Sequence, residues 1–110
     1  MRVLIVEDEI AAARRLSKML LELEPSAQIL GITDSISSTV EWLQSNPEPD
    51  LILLDIHLAD GVSFKIFNQV KVKCPIIFTT AFDQYAIQAF KLNSVDYLLK
   101  PINQEDLKFS

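Results

Sequence analysis

The sequence predicts an α/β domain built on a doubly wound, five-stranded parallel sheet. Three short and uninterrupted apolar segments, residues 3–6, 51–54 and 76–78, are typical of strands buried on both faces. Two further segments, residues 27–32 and 95–99, contain polar residues or glycine and favour strands nearer the sheet edges. Segments with helical periodicity lie between the strands, and this alternation predicts right-handed crossovers with helices on both faces.

The first helix is predicted from apolar residues that recur at spacings of three and four, namely Ile10, Ala13, Leu16, Leu20 and Leu23. Pro25 lies just beyond its expected end. A second helix is expected to begin after a cap at Ser35 or Ser37 and to stop near Asn46.

Three more helices are expected in the second half of the chain. Gly61 precedes a helix that carries Phe64, Phe67 and Val70, and Asp83 caps the next one. A fifth helix begins at Asn103 and is truncated by the end of the chain. Because the first, third and fourth strands are the most apolar, we expect the flavodoxin-like strand order 2-1-3-4-5.

Composition limits the possible partners. The 110 residues suit one domain, and a hydrophobic content of 49% is enough for a compact core. The net charge of −5 disfavours binding of nucleic acid or of an anionic membrane by this chain itself. No uncharged stretch approaches the roughly 20 residues of a membrane helix. The single cysteine, Cys74, excludes an internal disulfide, is expected to be inert packing, and makes the cytoplasm the expected location.

Acidic residues follow two of the predicted central strands. Glu7 and Asp8 end the first strand and Asp55 ends the third, at the point where the strand order reverses and ligands bind in such sheets. Three carboxylates at one place should repel and raise one another's pKa. Lys100, after the fifth strand, supplies one positive charge. The remaining charge of −3 + 1 = −2 is what one Mg²⁺ ion would neutralise.

Hydroxyl groups are expected at the same edge. Thr79 and Thr80 end the fourth strand, and a hydroxyl there can donate a hydrogen bond to an anionic oxygen. Taken singly, each carboxylate is also explained as a helix cap, each threonine as structural and Lys100 as solvated surface. The occurrence of all of them at the ends of four strands favours a binding site.

These residues carry a family resemblance. The segments 3–9 and 53–61, the pair Thr80-Ala81 and the run 96–101 resemble the receiver domain of two-component response regulators. The segments 78–86 and 97–101 are similar to the LytR/AlgR branch, whose effector is a LytTR DNA-binding domain. The resemblance implies that residues 1–110 form a receiver and that the effector domain lies outside this chain.

The resemblance also implies roles for individual residues. Asp55 would accept a phosphoryl group from a sensor histidine kinase or a small phosphodonor, without the chain being an enzyme in its own right. Mg²⁺ would be held by Glu7, Asp8, Asp55 and the backbone carbonyl of His57, and the phosphoryl oxygens would contact Thr80 and Lys100.

Other positions are implied to modulate or transmit the signal. His57 and Phe82 occupy positions that influence the lifetime of the phosphoryl group, and we hypothesise that Phe82 shields it from water. Thr80 and Tyr97 would switch conformation together, and Pro101 would follow a cis peptide bond. The fourth helix carries more apolar residues than one buried face needs, namely Tyr85, Ile87 and Phe90. We therefore hypothesise a homodimer through helix four, strand five and helix five.

Three alternatives remain open from the residues alone. One is a protein-interaction module of receiver fold that is never phosphorylated. Another is a Mg²⁺-dependent phosphohydrolase of the haloacid dehalogenase type, although its second aspartate is replaced here by His57. The weakest is a nucleotide-binding module, because the turn at residues 7–9 is acidic and lacks glycine.

Overall fold

The computed structural model describes residues 1–81, 94–100 and 102. Five strands form one parallel sheet, and two more form a small hairpin: β1 (Arg2–Val6), β2 (Gln28–Thr33), β3 (Leu51–Asp55), β4 (His57–Leu58), β5 (Gly61–Val62), β6 (Ile76–Thr80) and β7 (Ser94–Leu99). The sheet order is β2-β1-β3-β6-β7. This order confirms the predicted flavodoxin-like arrangement, with β4 and β5 as an addition outside the sheet.

Two α-helices connect the first three strands: α1 (Ile10–Leu23) and α2 (Ile36–Ser45). Ser35 caps α2 by accepting a hydrogen bond from the backbone N–H of Ser38, which selects one of the two caps predicted. On α1 the predicted apolar face is buried at Ala13, Leu16 and Leu20, half-buried at Leu23 and 71% exposed at Ile10. Ile10 is the first residue of the helix and directly follows the loop beyond the end of β1.

The third predicted helix is a short 3₁₀ helix (Ser63–Asn68) that ends before Val70. Side chains three residues apart eclipse one another in a 3₁₀ helix, so Phe64 and Phe67 share one face. Both rings pack edge-on against Phe78 of β6, with centroid distances of 5.3 Å and 6.4 Å. The tighter helix therefore suits the spacing of the two aromatic residues.

The core has two layers, one on each face of the sheet. Leu4 and Val6 of β1 join the layer under α2 and the 3₁₀ helix, whereas Val3 and Ile5 join the layer under α1. This alternation follows the two-residue period of a strand and explains why the central strands are apolar throughout. In the part of the chain described, no helix is long and apolar enough to cross a membrane.

Candidate functional site

Three carboxylates meet at the carboxyl ends of β1 and β3, as predicted. Glu7 and Asp8 follow β1, and Asp55 is the last residue of β3, its neighbour in the sheet. One oxygen from each of the three carboxylates lies within 4.8 Å of the others. Glu7 and Asp55 are buried, with 2% and 4% exposure, whereas Asp8 is exposed and leaves one side of the cluster open.

Lys100 completes the cluster. Its Nζ donates hydrogen bonds to Oε2 of Glu7 over 2.9 Å and to Oδ2 of Asp55 over 3.1 Å. Its backbone N–H donates to the carbonyl of Thr80 over 2.7 Å, which fixes the residue at the end of β7 beside β6. The predicted approach of an ammonium group to the acidic residues is therefore present in the structure.

The electrostatics reflect this burial. Burial raises the pKa of Glu7 to about 7, the hydrogen bond from Lys100 opposes the rise, and the charge of Asp55 adds to it. Burial alone would lower the pKa of Lys100, but the hydrogen bonds and charges of Glu7 and Asp55 outweigh it and raise that pKa. The site thus holds its lysine charged and places three carboxyl groups near this one ammonium group.

The donor set fits a hard cation. Carboxylate oxygens are the ligands that Mg²⁺ and Ca²⁺ prefer, and Glu7, Asp8 and Asp55 can each offer one. With Asp8 exposed, water or a substrate oxygen can complete the coordination.

The segment after Asp55 is tightly organised. The backbone N–H of His57 donates to Oδ1 of Asp55 over 3.3 Å, and the N–H of Ser63 donates to the carbonyl of Ile56 over 2.7 Å. Between them β4 and β5 pair antiparallel, and Gly61 adopts φ +138° just after the turn. The loop that carries His57 is thus a hairpin anchored at its base.

Asp60, at the tip of this hairpin, was not predicted as a site residue. Its Oδ1 accepts a hydrogen bond from the N–H of Ile36 over 2.7 Å, and its Oδ2 accepts one from Ser37 over 3.2 Å. The Asp60-Gly61 pair is a recognisable turn signal. Ile36, however, lies 24 positions earlier in the chain, and no local sequence pattern predicts that Asp60 contacts it.

Other predicted residues are placed only in part. Thr80 is fully buried at the end of β6, and Thr79 lies opposite Asp55 in the sheet register. Tyr97 is in β7, where its backbone pairs with Phe78 of β6. Phe82, Pro101, the fourth and fifth helices and the proposed dimer contact lie outside the described residues, so their roles stay predictions.

Comparison with known proteins identifies one matching family and several relatives. A family model for the response regulator receiver domain matches residues 3–109. The chain is 44% identical over 108 residues to sensory transduction protein LytT of Bacillus anthracis, covering 96% of this chain and 43% of that protein. It is 39% identical over 111 residues to transcriptional regulatory protein LytR of Staphylococcus aureus strain N315, covering 98% and 44%. The chain therefore spans less than half the length of these relatives.

A solved structure is similar to this chain in fold as well as in sequence. The response regulatory domain of protein mrkE from Klebsiella pneumoniae superposes with a TM-score of 0.85 at 35% identity, covering 99% of this chain and 90% of that one.

Proposed function

Since the chain belongs to the response regulator receiver domain family of two-component systems, we propose that Asp55 accepts a phosphoryl group from a sensor histidine kinase. The observation that carries this proposal is the hydrogen bond from Nζ of Lys100 to Oδ2 of Asp55. It supplies a cation at the carboxylate where the negative charge of the reaction would develop. Lys100 also contacts the buried carboxylate of Glu7, so one ammonium group faces two buried carboxyl groups.

The transfer needs little covalent chemistry from the protein. An oxygen of Asp55 attacks phosphorus, the bond from phosphorus to the donor's histidine nitrogen or acyl oxygen breaks, and an acyl phosphate remains on Asp55. Lys100 and Thr80 contact the phosphoryl oxygens. Glu7, Asp8, Asp55 and the His57 carbonyl would hold Mg²⁺, which when bound would neutralise charge on the transferring group.

The chain is proposed to be a phosphoacceptor that assists its own phosphorylation and dephosphorylation, and not a separate enzyme. Phosphorylation replaces one negative charge on Asp55 by roughly two. Thr80 would follow the new group and Tyr97 would change rotamer with it, shifting a balance between two pre-existing conformations. Phe82 would shield the acyl phosphate from water.

The output is proposed to be transcriptional regulation in the cytoplasm through a LytTR-type DNA-binding effector. The similarity to LytT and LytR supports this proposal. The net charge of −5 also supports it, since DNA binding would then belong to the effector and not to this chain. A homodimer through helix four, strand five and helix five would couple phosphorylation to the effector.

The test is incubation with acetyl phosphate and Mg²⁺, followed by intact-mass and peptide mass spectrometry. We expect one phosphoryl adduct, located on Asp55, that requires Mg²⁺. Asp55→Asn should abolish the adduct, while Asp50→Asn, a matched change at the opposite end of β3, should not. If the parent protein forms no adduct and binds no Mg²⁺, the result would favour the alternative that the chain is an interaction module that is never phosphorylated.

A further inference from the structure

The first turn of α2 is connected to the strand that leads to Glu7. The backbone N–H of Glu7 donates to the carbonyl of Thr33, the last residue of β2, over 2.9 Å. The hydroxyl groups of Thr33 and Thr39 are 2.7 Å apart and buried, and Thr39 Oγ1 donates to the carbonyl of Ser35 over 2.7 Å. A chain of hydrogen bonds therefore joins one side of the acidic cluster to the start of α2.

The same turn is connected to the segment that follows Asp55. The carboxylate of Asp60 accepts hydrogen bonds from the N–H groups of Ile36 and Ser37. The N–H of Ser38 is already satisfied by Ser35 Oγ over 3.1 Å, so Asp60 takes the two amides that the local cap leaves free. The start of α2 is thus hydrogen-bonded both to the segment beside Glu7 and to the hairpin that follows Asp55.

Packing holds the hairpin at Leu58, which is buried in the core layer that contains Ile36, but not at its tip. Ala59 and Asp60 are both exposed, so packing does not fix this turn. The base is held by the hydrogen bond from His57 N–H to Asp55 and by the pairing of β4 with β5. Together with the packing of Leu58, the two bonds to α2 therefore set the direction in which the hairpin, and with it the backbone of His57, leaves Asp55.

We propose that Asp60 is a positioning residue of the acidic site, which orients the His57 segment for cation binding by tethering the hairpin to α2. This inference rests on the proposed function, because it assumes that the cluster binds Mg²⁺. Asp60 does not contact the cation. It acts through the hairpin, as a carboxylate that orients a ligand from outside the coordination sphere.

The test compares Mg²⁺ affinities by isothermal titration calorimetry for Asp60→Ala, Asp60→Asn and the parent protein. Asp60→Ala should weaken Mg²⁺ binding about 10-fold, the usual size of an outer-shell effect. Asp60→Asn retains one acceptor oxygen and should weaken it less. Ser35→Ala is the matched control, since it removes a cap from the same helix turn but leaves the tether, and it should bind Mg²⁺ like the parent.

Circular dichroism at the titration temperature ensures that each variant compared is folded, and Asp60→Asn carries the comparison if Asp60→Ala does not fold. Equal affinities for the Asp60 variants and the parent would overturn the positioning role and leave the proposed function intact. Equal weakening by Ser35→Ala would also overturn it, because the effect would then come from the helix cap. A parent protein that binds no Mg²⁺ would overturn both proposals.

Discussion

Nζ of Lys100 donates a hydrogen bond to Oε2 of Glu7 over 2.9 Å, although the two residues are 93 positions apart in the chain. The side chain of Glu7 is fully buried, and that of Lys100 is 24% exposed. A buried carboxylate is costly without a partner, so the ammonium group compensates for the burial of Glu7.

Removing this partner should therefore destabilise the protein. We expect Lys100→Met to lower the free energy of unfolding by about 2 kcal/mol, the range for a lost hydrogen bond to a charged group. Urea unfolding followed by circular dichroism, without divalent cations, measures the change. Lys18→Met, at an exposed position of α1, should stay within about 0.5 kcal/mol of the parent. Equal losses in the two variants would contradict the compensating role of Lys100.

Gly61 is required by backbone conformation. Its φ of +138° lies where side chains are strained, and an added Cβ would come within 3.3 Å of Cδ1 of Ile36. Gly61→Ala should cost about 1–3 kcal/mol in thermal or urea unfolding. The other glycine provides the control, because Gly31 has no positive φ and its Cβ would meet the Trp42 indole at 3.2 Å and Cδ1 of Leu4 at 3.9 Å. Gly31→Ala should cost less and alter tryptophan fluorescence, and the reverse order of stabilities would refute this explanation.

Cys74 should be inert towards thiol reagents in the folded protein. Burial raises its pKa to about 12, and the charge of Glu48 adds to the rise. The thiolate population at pH 8 is then on the order of 1000-fold below that of an ordinary cysteine. Stopped-flow reaction with a disulfide reagent, with and without denaturant, measures the difference.

The role of Glu48 in this protection can be tested separately. Its Oε1 accepts hydrogen bonds from the backbone N–H groups of Lys73 and Cys74. Glu48→Gln keeps an acceptor but removes the charge, so the pKa of Cys74 should fall and the native reaction should accelerate. Glu41→Gln, an exposed change on α2, should leave the rate unaltered. Identical rates in both variants would assign the protection to burial alone.

The tether at Asp60 predicts a specific pH dependence. Hydrogen bonds from Ile36 and Ser37 hold the pKa of Asp60 below its ordinary value of 3.8. A carboxyl group with a depressed pKa stabilises the fold above its unfolded-state pKa and loses that contribution as the pH falls through its folded-state pKa. The melting temperature of the parent should therefore exceed that of Asp60→Asn above pH 5, and the gap should close as the pH falls below 3.8 through the depressed pKa of Asp60. A gap that is constant with pH would contradict a charge-dependent tether.

Strand order and the meeting of Glu7, Asp8 and Asp55 could be predicted because they follow from periodicity and sheet topology. The different burial of Glu7 and Asp8 was not predicted, although neighbouring residues at a strand end point to opposite sides. The 3₁₀ helix replaced an α-helix because tertiary packing on Phe78 outweighs local propensity. The bonds of Asp60 could not be predicted, since nothing local indicates which distant amides a turn carboxylate will meet.

The central position of β1 has a consequence for folding during synthesis. β1 is synthesised before both of its partners in the sheet, with β2 paired from Gln28 and β3 from Leu51. Both edges of this apolar strand are therefore covered only after β3 has been made, and Leu51 lies 51 − 3 = 48 positions after its partner Val3. Parallel pairing over such separations is slow, so the nascent chain exposes an aggregation-prone segment for longer than a fold with local hairpins would.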